Sequence, residues 1–345
     1  MTSDGLPADH DGLPQLSVAR LARLIREAIH NVELDLSGAV VLTEAATGAY
    51  AVTPVIAALA GALRVTALTQ DSRFGTVAQV TEQTNALAEA VGVRDRITIT
   101  STRDLDLFAE ADIVTNSAHV RPIDATAAAA MLPGTALPLM FEAWEIQAGR
   151  VDLDLDALNE RGVLIAGTNE RHPLIDVFSY LGLMAIVQLA DAGVPALGSR
   201  IGLLCDNPFI ESMTAGLASA GATVFSGSTL EHLVVNAPLD AVIVAMTPTG
   251  RPLIAAAEAA IVVDTDPAMT IVQFWGDIDR VALEQKSISY WPRFDPGTGH
   301  MGVLPSRVGP EPIVKLQTGG LKVAQVLRIA PGNRTAADLR FLSII

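Results

Sequence analysis

The sequence predicts an α/β protein: two doubly wound, Rossmann-like domains with parallel sheets, joined by a long interdomain helix and a C-terminal crossover. Three observations predict it. Short apolar runs alternate with helical patterns, the signature of βαβ units and of strands that run parallel. The alternation breaks once, at a long apolar segment, and then starts again. The chain of 345 residues also exceeds what one ordinary hydrophobic core organises. Half of its residues are apolar while only 4% are aromatic. That is the usage of packed α/β layers rather than of a disordered chain.

Residues 1–15, "MTSDGLPADHDGLPQ", read as a disordered polar tail, without the basic and apolar regions of a signal or transit peptide. The first domain is expected over 16–172. It opens with a helix that sets Val18, Leu21, Ile25 and Ile29 on one face. Strands are predicted at 39–43, 64–69, 96–100, 112–116, 136–140 and 163–167, with helical patterns between most of them. The apolar segment 173–193 reads as one helix of about twenty residues that connects the halves. A second domain, 173–304, includes that helix and continues with strands at 200–205, 222–227, 240–246 and 259–265. Residues 305–345 offer another helix, expected to pack back onto the first domain.

Composition excludes several functions. The net charge of −15 leaves no basic stripe for nucleic-acid phosphates. One cysteine, Cys205, excludes an intramolecular disulfide and multi-cysteine metal sites, and at the end of a buried strand its thiol is expected simply to pack. No apolar run approaches the ~18 residues of a membrane helix. A soluble, cytoplasmic protein with no membrane or nucleic-acid partner and no specific metal-ligand spacing is expected.

Open α/β sheets place ligands at the carboxyl ends of their strands, which selects the candidates. In "TEAATGAYAVTP" (43–54), Glu44 ends a strand, and Thr47 and Gly48 are placed to present N–H groups to an anion. The next strand runs into "TQDSRFGT", where Asp71 is placed to hold a hydroxyl, with Arg73 close by. His119 and Arg121, in "NSAHVRP", follow a strand and form a candidate catalytic pair. Glu142 and Glu145, in "FEAWEI", follow another; a carboxylate there repels an acid substrate unless a cation intervenes. Asp264 and Asp266, in "DTDP", are read as ending a second-domain strand, and Trp275 with Asp277 and Asp279 as a stacking wall with an acid. His300, in the glycine-rich "DPGTGHMG", is displayed for proton transfer near neutral pH, with Asp295 placed to orient its imidazole. Finally, Arg307, Lys315 and Lys322 cluster around a Gly319-Gly320 turn, which suggests an anionic ligand group.

The middle of the chain carries a resemblance. "EADIVTNSAHVRPID", then "VDLDLDALNERGVLIAGTNE", the helix from Val177 to Ile186 and the strand "GSRIGLLCDN" follow one another in the order found in the D-isomer-specific 2-hydroxyacid dehydrogenases. "GHMG" (299–302) resembles that family's catalytic-histidine turn. The resemblance covers roughly residues 110–250. It implies an NAD- or NADP-dependent oxidoreductase acting on a small polar metabolite in an interdomain cleft. His300 would be catalytic, and Asp206, Asn207, Pro208, Phe209, Ile210 and Thr247 would lie against the cofactor. It also implies a homodimer. The departures are specific: Cys205, Asn207 and Ile210 stand where the family's phosphate loop has glycines, and no acid ends "VFSGS" to bind a ribose hydroxyl. The strand matching the family's catalytic arginine reads "VVDTDPAMT" and offers only acids. Two other readings stand beside this one: a redox-cofactor-independent biosynthetic enzyme (lyase, transferase or cyclase) on the same fold, and a non-catalytic binding or scaffold subunit.

Overall fold

The computed structural model describes residues 16–148 and 152–345; the tail expected over 1–15 lies outside them. The described residues divide into two compact units, one from within 16–176 with 310–345, and the other 177–309.

The first unit begins with α1 (Val18–Asn31), started by Ser17, whose Oγ accepts the Arg20 N–H at 3.3 Å. Wound units follow: β1 (Val40–Glu44), α2 (Val52–Leu59), β2 (Arg64–Leu68), α3 (Val77–Val91), β3 (Ile97–Thr100), α4 (Leu105–Ala109) and β4 (Ile113–Val114). Then come α5 (Ala125–Ala130), β5 (Ala136–Leu139), α6 (Trp144–Gln147), α7 (Leu155–Arg161) and β6 (Leu164–Thr168). The helix starts are chemically set. Thr76 and Gln79 close a capping box on α3, and Asp104, Asp124 and Asp154 accept first-turn N–H groups of α4, α5 and α7. Gly92 and Gly162 end α3 and α7 in the left-handed region, at φ 77° and 78°.

The second unit holds α8 (Ser179–Asp191), β7 (Arg200–Leu204), α9 (Phe209–Ser219), β8 (Thr223–Gly227), α10 (Leu230–Val234) and β9 (Ala241–Ala245). It ends with α11 (Ala256–Thr265), β10 (Thr270–Trp275), α12 (Arg280–Gln285) and β11 (Tyr290–Trp291). Its five strands are all parallel, in the order β11-β10-β9-β7-β8. β9, "AVIVA", is buried at every position, as a central strand covered on both faces must be. Val242, Val244 and Ile271 share their core with Leu230, Leu233, Ile254 and Val262 from the helices and loops.

Two expectations for this unit change. The segment 259–265 is not a strand but lies in α11, and the strand comes at β10. Glu258 accepts the Ala255 N–H at 3.0 Å and so fixes a helix start just ahead of that β-branched run. Asp264 and Asp266 therefore end a helix. The expected twenty-residue helix is α8 alone, 13 residues long: Pro173 and the left-handed Asp176, at φ 41°, hold the chain out of helical geometry before it. Where α8 meets α9, a Cβ on Gly182 would stand 2.6 Å from the Gly216 Cα. The two backbones meet there without side chains between them.

The chain closes the first unit with α13 (Glu311–Arg328), α14 (Ala336–Leu339) and β12 (Leu342–Ser343). The sheet order is β12-β6-β5-β4-β1-β2-β3, parallel except for β12 on β6. Gly319 and Gly320 lie buried inside α13, not in a turn, which corrects the anion-loop expectation. A Cβ on Gly319 would meet Ile175 Cδ1 at 2.5 Å, and one on Gly320 would strike Met140 Sδ. Arg307 pairs with Asp191 at 2.8 Å within the second unit, apart from Lys315 and Lys322 in the first. Among the described residues, no helix is long and apolar enough to cross a membrane.

Candidate functional site

Each sheet has one place where the strand order reverses. In the first unit it falls between β1 and β4; in the second, between β7 and β9. Connections leave in opposite directions there, so the strand ends open a crevice in which such folds hold ligands.

At the first crevice, Glu44 is the last residue of β1 and is 5% exposed. Its Oε2 accepts the backbone N–H of His119 at 3.3 Å, from the loop that follows β4. Burial pushes its pKa up; the N–H groups of His119 and Ala118 and the charge of Arg121 oppose that rise. Beside it runs a ladder of buried hydroxyls. Thr43 Oγ1 and Thr115 Oγ1 lie 2.8 Å apart, and Thr115 Oγ1 and Ser117 Oγ 2.6 Å apart. Asn116, at the end of β4, accepts the Met140 N–H at 3.4 Å through Oδ1. Its Nδ2, and Thr69 Oγ1 at the end of β2, are buried without a hydrogen-bond partner. Native interiors pair such atoms almost everywhere, so this crevice is polar beyond what its own chain satisfies.

The structure thus joins Glu44 to the His119–Arg121 pair, which the sequence offered as a separate candidate. His119 is half-buried, and burial lowers its pKa, keeping the imidazole neutral near pH 7. Arg121 is bonded to the carboxylate of Asp152. Gly48 and Asp71 do not play the parts expected of them. The Gly48 N–H donates to Gln83 Oε1 at 2.7 Å, and Thr47 Oγ1 donates to the Phe74 carbonyl at 3.2 Å. Asp71 Oδ1 accepts the Val77 N–H at 2.7 Å, which fastens the start of α3. Glu142 is likewise structural. Its buried carboxylate takes Arg171 through Nη2 at 2.5 Å and Nε at 3.1 Å, and the Trp144 indole N–H at 3.0 Å. The charge of that acid is met within the chain by Arg171.

At the second crevice, Asn207 occupies the turn between β7 and α9. Its Nδ2 donates to the Ala245 carbonyl at 2.7 Å, and its Oδ1 accepts the Phe209 N–H at 3.1 Å. Asp206 Oδ1 accepts the Thr247 N–H at 2.8 Å. The bonds to Ala245 and Thr247 cross from the end of β7 to the end of β9. The Ile210 N–H reaches the Asn207 carbonyl at 3.3 Å, and Pro208 has no N–H to give. Phe209 packs its ring at 5.4 Å from Trp275, between centroids.

His300 belongs to a glycine-rich turn hung on the end of β10. The Gly302 N–H donates to the Phe274 carbonyl at 2.9 Å, and the Trp275 indole N–H to the Gly299 carbonyl at 3.1 Å. The imidazole is exposed, with Nδ1 3.0 Å from the Thr298 carbonyl. Asp295 does not orient it. Asp295 Oδ1 instead caps the Gly297 N–H at 2.9 Å and lies 3.7 Å from Arg280 Nη1. An acid two residues before a free N–H closes that local turn first, and the half-buried guanidinium draws it away from the histidine.

These residues test the fit of a dinucleotide. A pyrophosphate needs unengaged N–H groups at a helix start and glycines that admit it to the backbone. Here the Phe209 N–H is held by the Asn207 amide, no residue from Cys205 to Glu211 is glycine, and Asp206 and Glu211 add two carboxylates to the turn and the first turn of α9. The residues of this loop do not fit a dinucleotide pyrophosphate. Cys205 is buried, and desolvation pushes its thiol up to about 11. It packs in the core. Among the described residues, no group of three or more His, Cys, Asp or Glu side chains is placed to hold a metal.

No family model matches the chain, and no curated protein matches it. Solved structures do. A dipicolinate synthase component from Bacillus halodurans is 11% identical and matches 86% of this chain and 100% of its own, with a TM-score of 0.50. The structure reported for the pyruvate reductase of Chlamydomonas reinhardtii is 15% identical over 86% of this chain and 97% of its own, also at 0.50. The corresponding dipicolinate synthase component from Bacillus subtilis, 11% identical, gives the same TM-score of 0.50 over 86% and 97%. At such identities what is shared with these structures is the fold.

Proposed function

We propose that the chain is an enzyme that works on a small polar metabolite by proton transfer at Glu44, without a nicotinamide cofactor. The observation that carries this reading is the carboxyl itself: a glutamate at the carboxyl end of a central strand, at the switch point, almost fully buried and with its pKa raised. Perturbed carboxyls in such places are suited to giving and taking protons near neutral pH. His119, whose backbone N–H it accepts, and Arg121, whose charge acts on it, come from one loop, and Asn116 and Thr69 hold unpartnered polar atoms just past the ends of the neighbouring strands. The chemistry this supports is proton movement next to a carbonyl or hydroxyl, as in a lyase, isomerising or cyclising step. The test is solvent exchange: a panel of small hydroxy and oxo metabolites is incubated with the full chain in D₂O and followed by proton NMR. Glu44→Gln should slow the exchange of the responding compound by about two to four orders of magnitude. Undiminished exchange in that variant would remove Glu44 from the chemistry.

A nicotinamide-dependent oxidoreductase is the second reading, favoured by the His300 turn at the end of β10 beside Trp275. It requires Asn207 to release the Phe209 N–H. NADH and NADPH titrated by fluorescence into the millimolar range should show no saturable binding. Saturation at lower concentration would make the oxidoreductase the better reading.

A further inference from the structure

Away from both switch points, the first unit contains a cavity of about 380 Å³, the size of small-molecule sites. It lies between the end of α1, the turn after β6, the middle of α13 and the α14–β12 corner. At its base is Lys322, a lysine only 6% exposed. Two of its three N–H donors are placed, on the Glu33 carbonyl at 3.1 Å and on Gln325 Oε1 at 3.2 Å. The ammonium stands 5.6 Å from the centroid of Phe341. On that ring His172 stacks at 4.0 Å. Its Nδ1 accepts the Leu174 N–H at 3.2 Å, which leaves the ring proton on Nε2.

The fixed charges decide the ligand. Two cations, Lys322 and Arg340, and two acids, Glu33 and Asp338, line the same space. Lys322 and Asp338 are near enough for each to shift the other's titration, yet no ion pair within 4.0 Å joins them among the described residues. An anion alone would meet the carboxylates, and a cation alone the ammonium and guanidinium. A molecule carrying both charges satisfies both sets. Beside these charges and the polar Asn31 and His172, the wall carries an apolar stretch of Val32, Pro173 and Leu174, and Leu174 is unusually exposed for a leucine at 43%.

We propose that this cavity binds a free α-amino acid with an aliphatic side chain, its carboxylate held by Lys322 and Arg340 and its ammonium by the acids. The site is separate from Glu44, so the proposal stands or falls independently of the reaction assigned to that residue. Calorimetry on the full chain tests it with three probes: L-leucine, 4-methylpentanoate, which lacks the ammonium, and 3-methylbutylamine, which lacks the carboxylate. Leucine should bind saturably, and each single-charge analogue should bind about tenfold more weakly or worse. Arg340→Gln and Asp338→Asn should each weaken leucine about fivefold or more with an unchanged circular dichroism spectrum, and Glu44→Gln should leave it unaltered. Lys322→Met should abolish binding; should that variant fail to fold, the other two still decide. The proposal is overturned by absence of leucine binding up to about 10 mM. It is equally overturned by an analogue that binds as tightly as leucine, or by leucine binding that survives both Arg340→Gln and Asp338→Asn.

Discussion

Two opposed influences meet on Glu44, and their balance is measurable without a substrate. Burial favours the protonated carboxyl, while loop N–H groups and Arg121 favour the carboxylate. Burial wins, so the folded pKa lies above the 4.5 of an ordinary glutamate. An acid raised in the folded state holds its proton more tightly there than in the unfolded chain. Its stabilising share is present below the unfolded pKa and is lost as pH rises through the folded one. Glu44→Gln removes that dependence. Melting temperatures of the two proteins should therefore converge near pH 4 and separate as pH rises to 8, with the glutamine variant gaining. A constant difference across that range would mean that the carboxyl is not perturbed. Cys205 gives a second residue-scale expectation. With its thiol at about 11, the thiolate is a fraction on the order of one in a thousand at pH 8. Iodoacetamide should leave the native protein unmodified for hours and alkylate it promptly in urea. Rapid native labelling would show that the end of β7 opens.

At the scale of elements, the helix crossing at Gly182 and Gly216 permits a prediction whose sign is set by competing magnitudes. Gly→Ala inside a helix ordinarily gains about 1 kcal/mol from propensity. Here the new methyl would stand 2.6 Å from backbone atoms of the facing helix, and overpacking of that kind costs about 1–3 kcal/mol or more. Gly182→Ala should therefore destabilise the protein in urea, as should Gly216→Ala. A gain from either would mean that the helices separate freely. The elements also show how far sequence reading reaches. β1, β7 and β9 stood out because strands buried on both faces are near-continuous apolar runs bounded by turns. "AAIVVDT" misled for the same reason: a short β-branched run fits a buried strand and a buried helix equally well, and only the Glu258 cap separates them. Glu44 was found from its place at a strand end. The hydroxyls of Thr43, Thr115 and Ser117 were not, since threonine and serine in strands carry no motif of their own. The pairing of Asp295 with His300 failed because the acid closes its own turn on the Gly297 N–H, and the cation near it, Arg280, comes from α12.

At the scale of the whole molecule, the chain leaves its first unit at residue 176 and returns to it at 310. The intervening stretch is organised as a self-sufficient domain. Its five parallel strands pair only with one another, and the core cluster built on Leu204, Val242, Val244 and Ile271 draws every member from within 177–309. The bonds that shape its crevice are equally internal: Asn207 to Ala245, Asp206 to Thr247, Trp275 to Gly299. A domain of this size lies in the ordinary range for independent folding. Expressed alone, residues 177–309 should therefore give a cooperative urea transition and dispersed amide NMR signals. That excised domain also isolates the nucleotide question, because it contains the whole β7–α9 turn. It should not bind NADH, whereas Asn207→Gly within it removes the carboxamide that holds the Phe209 N–H and gives the backbone room. If a pyrophosphate is excluded by Asn207 itself, that single change should produce detectable NADH binding in the millimolar range. If the acids Asp206 and Glu211 exclude it, binding should appear only when both are also neutralised. A wild-type domain that already binds NADH would show that the amide yields to the anion, and would return the protein to the oxidoreductases.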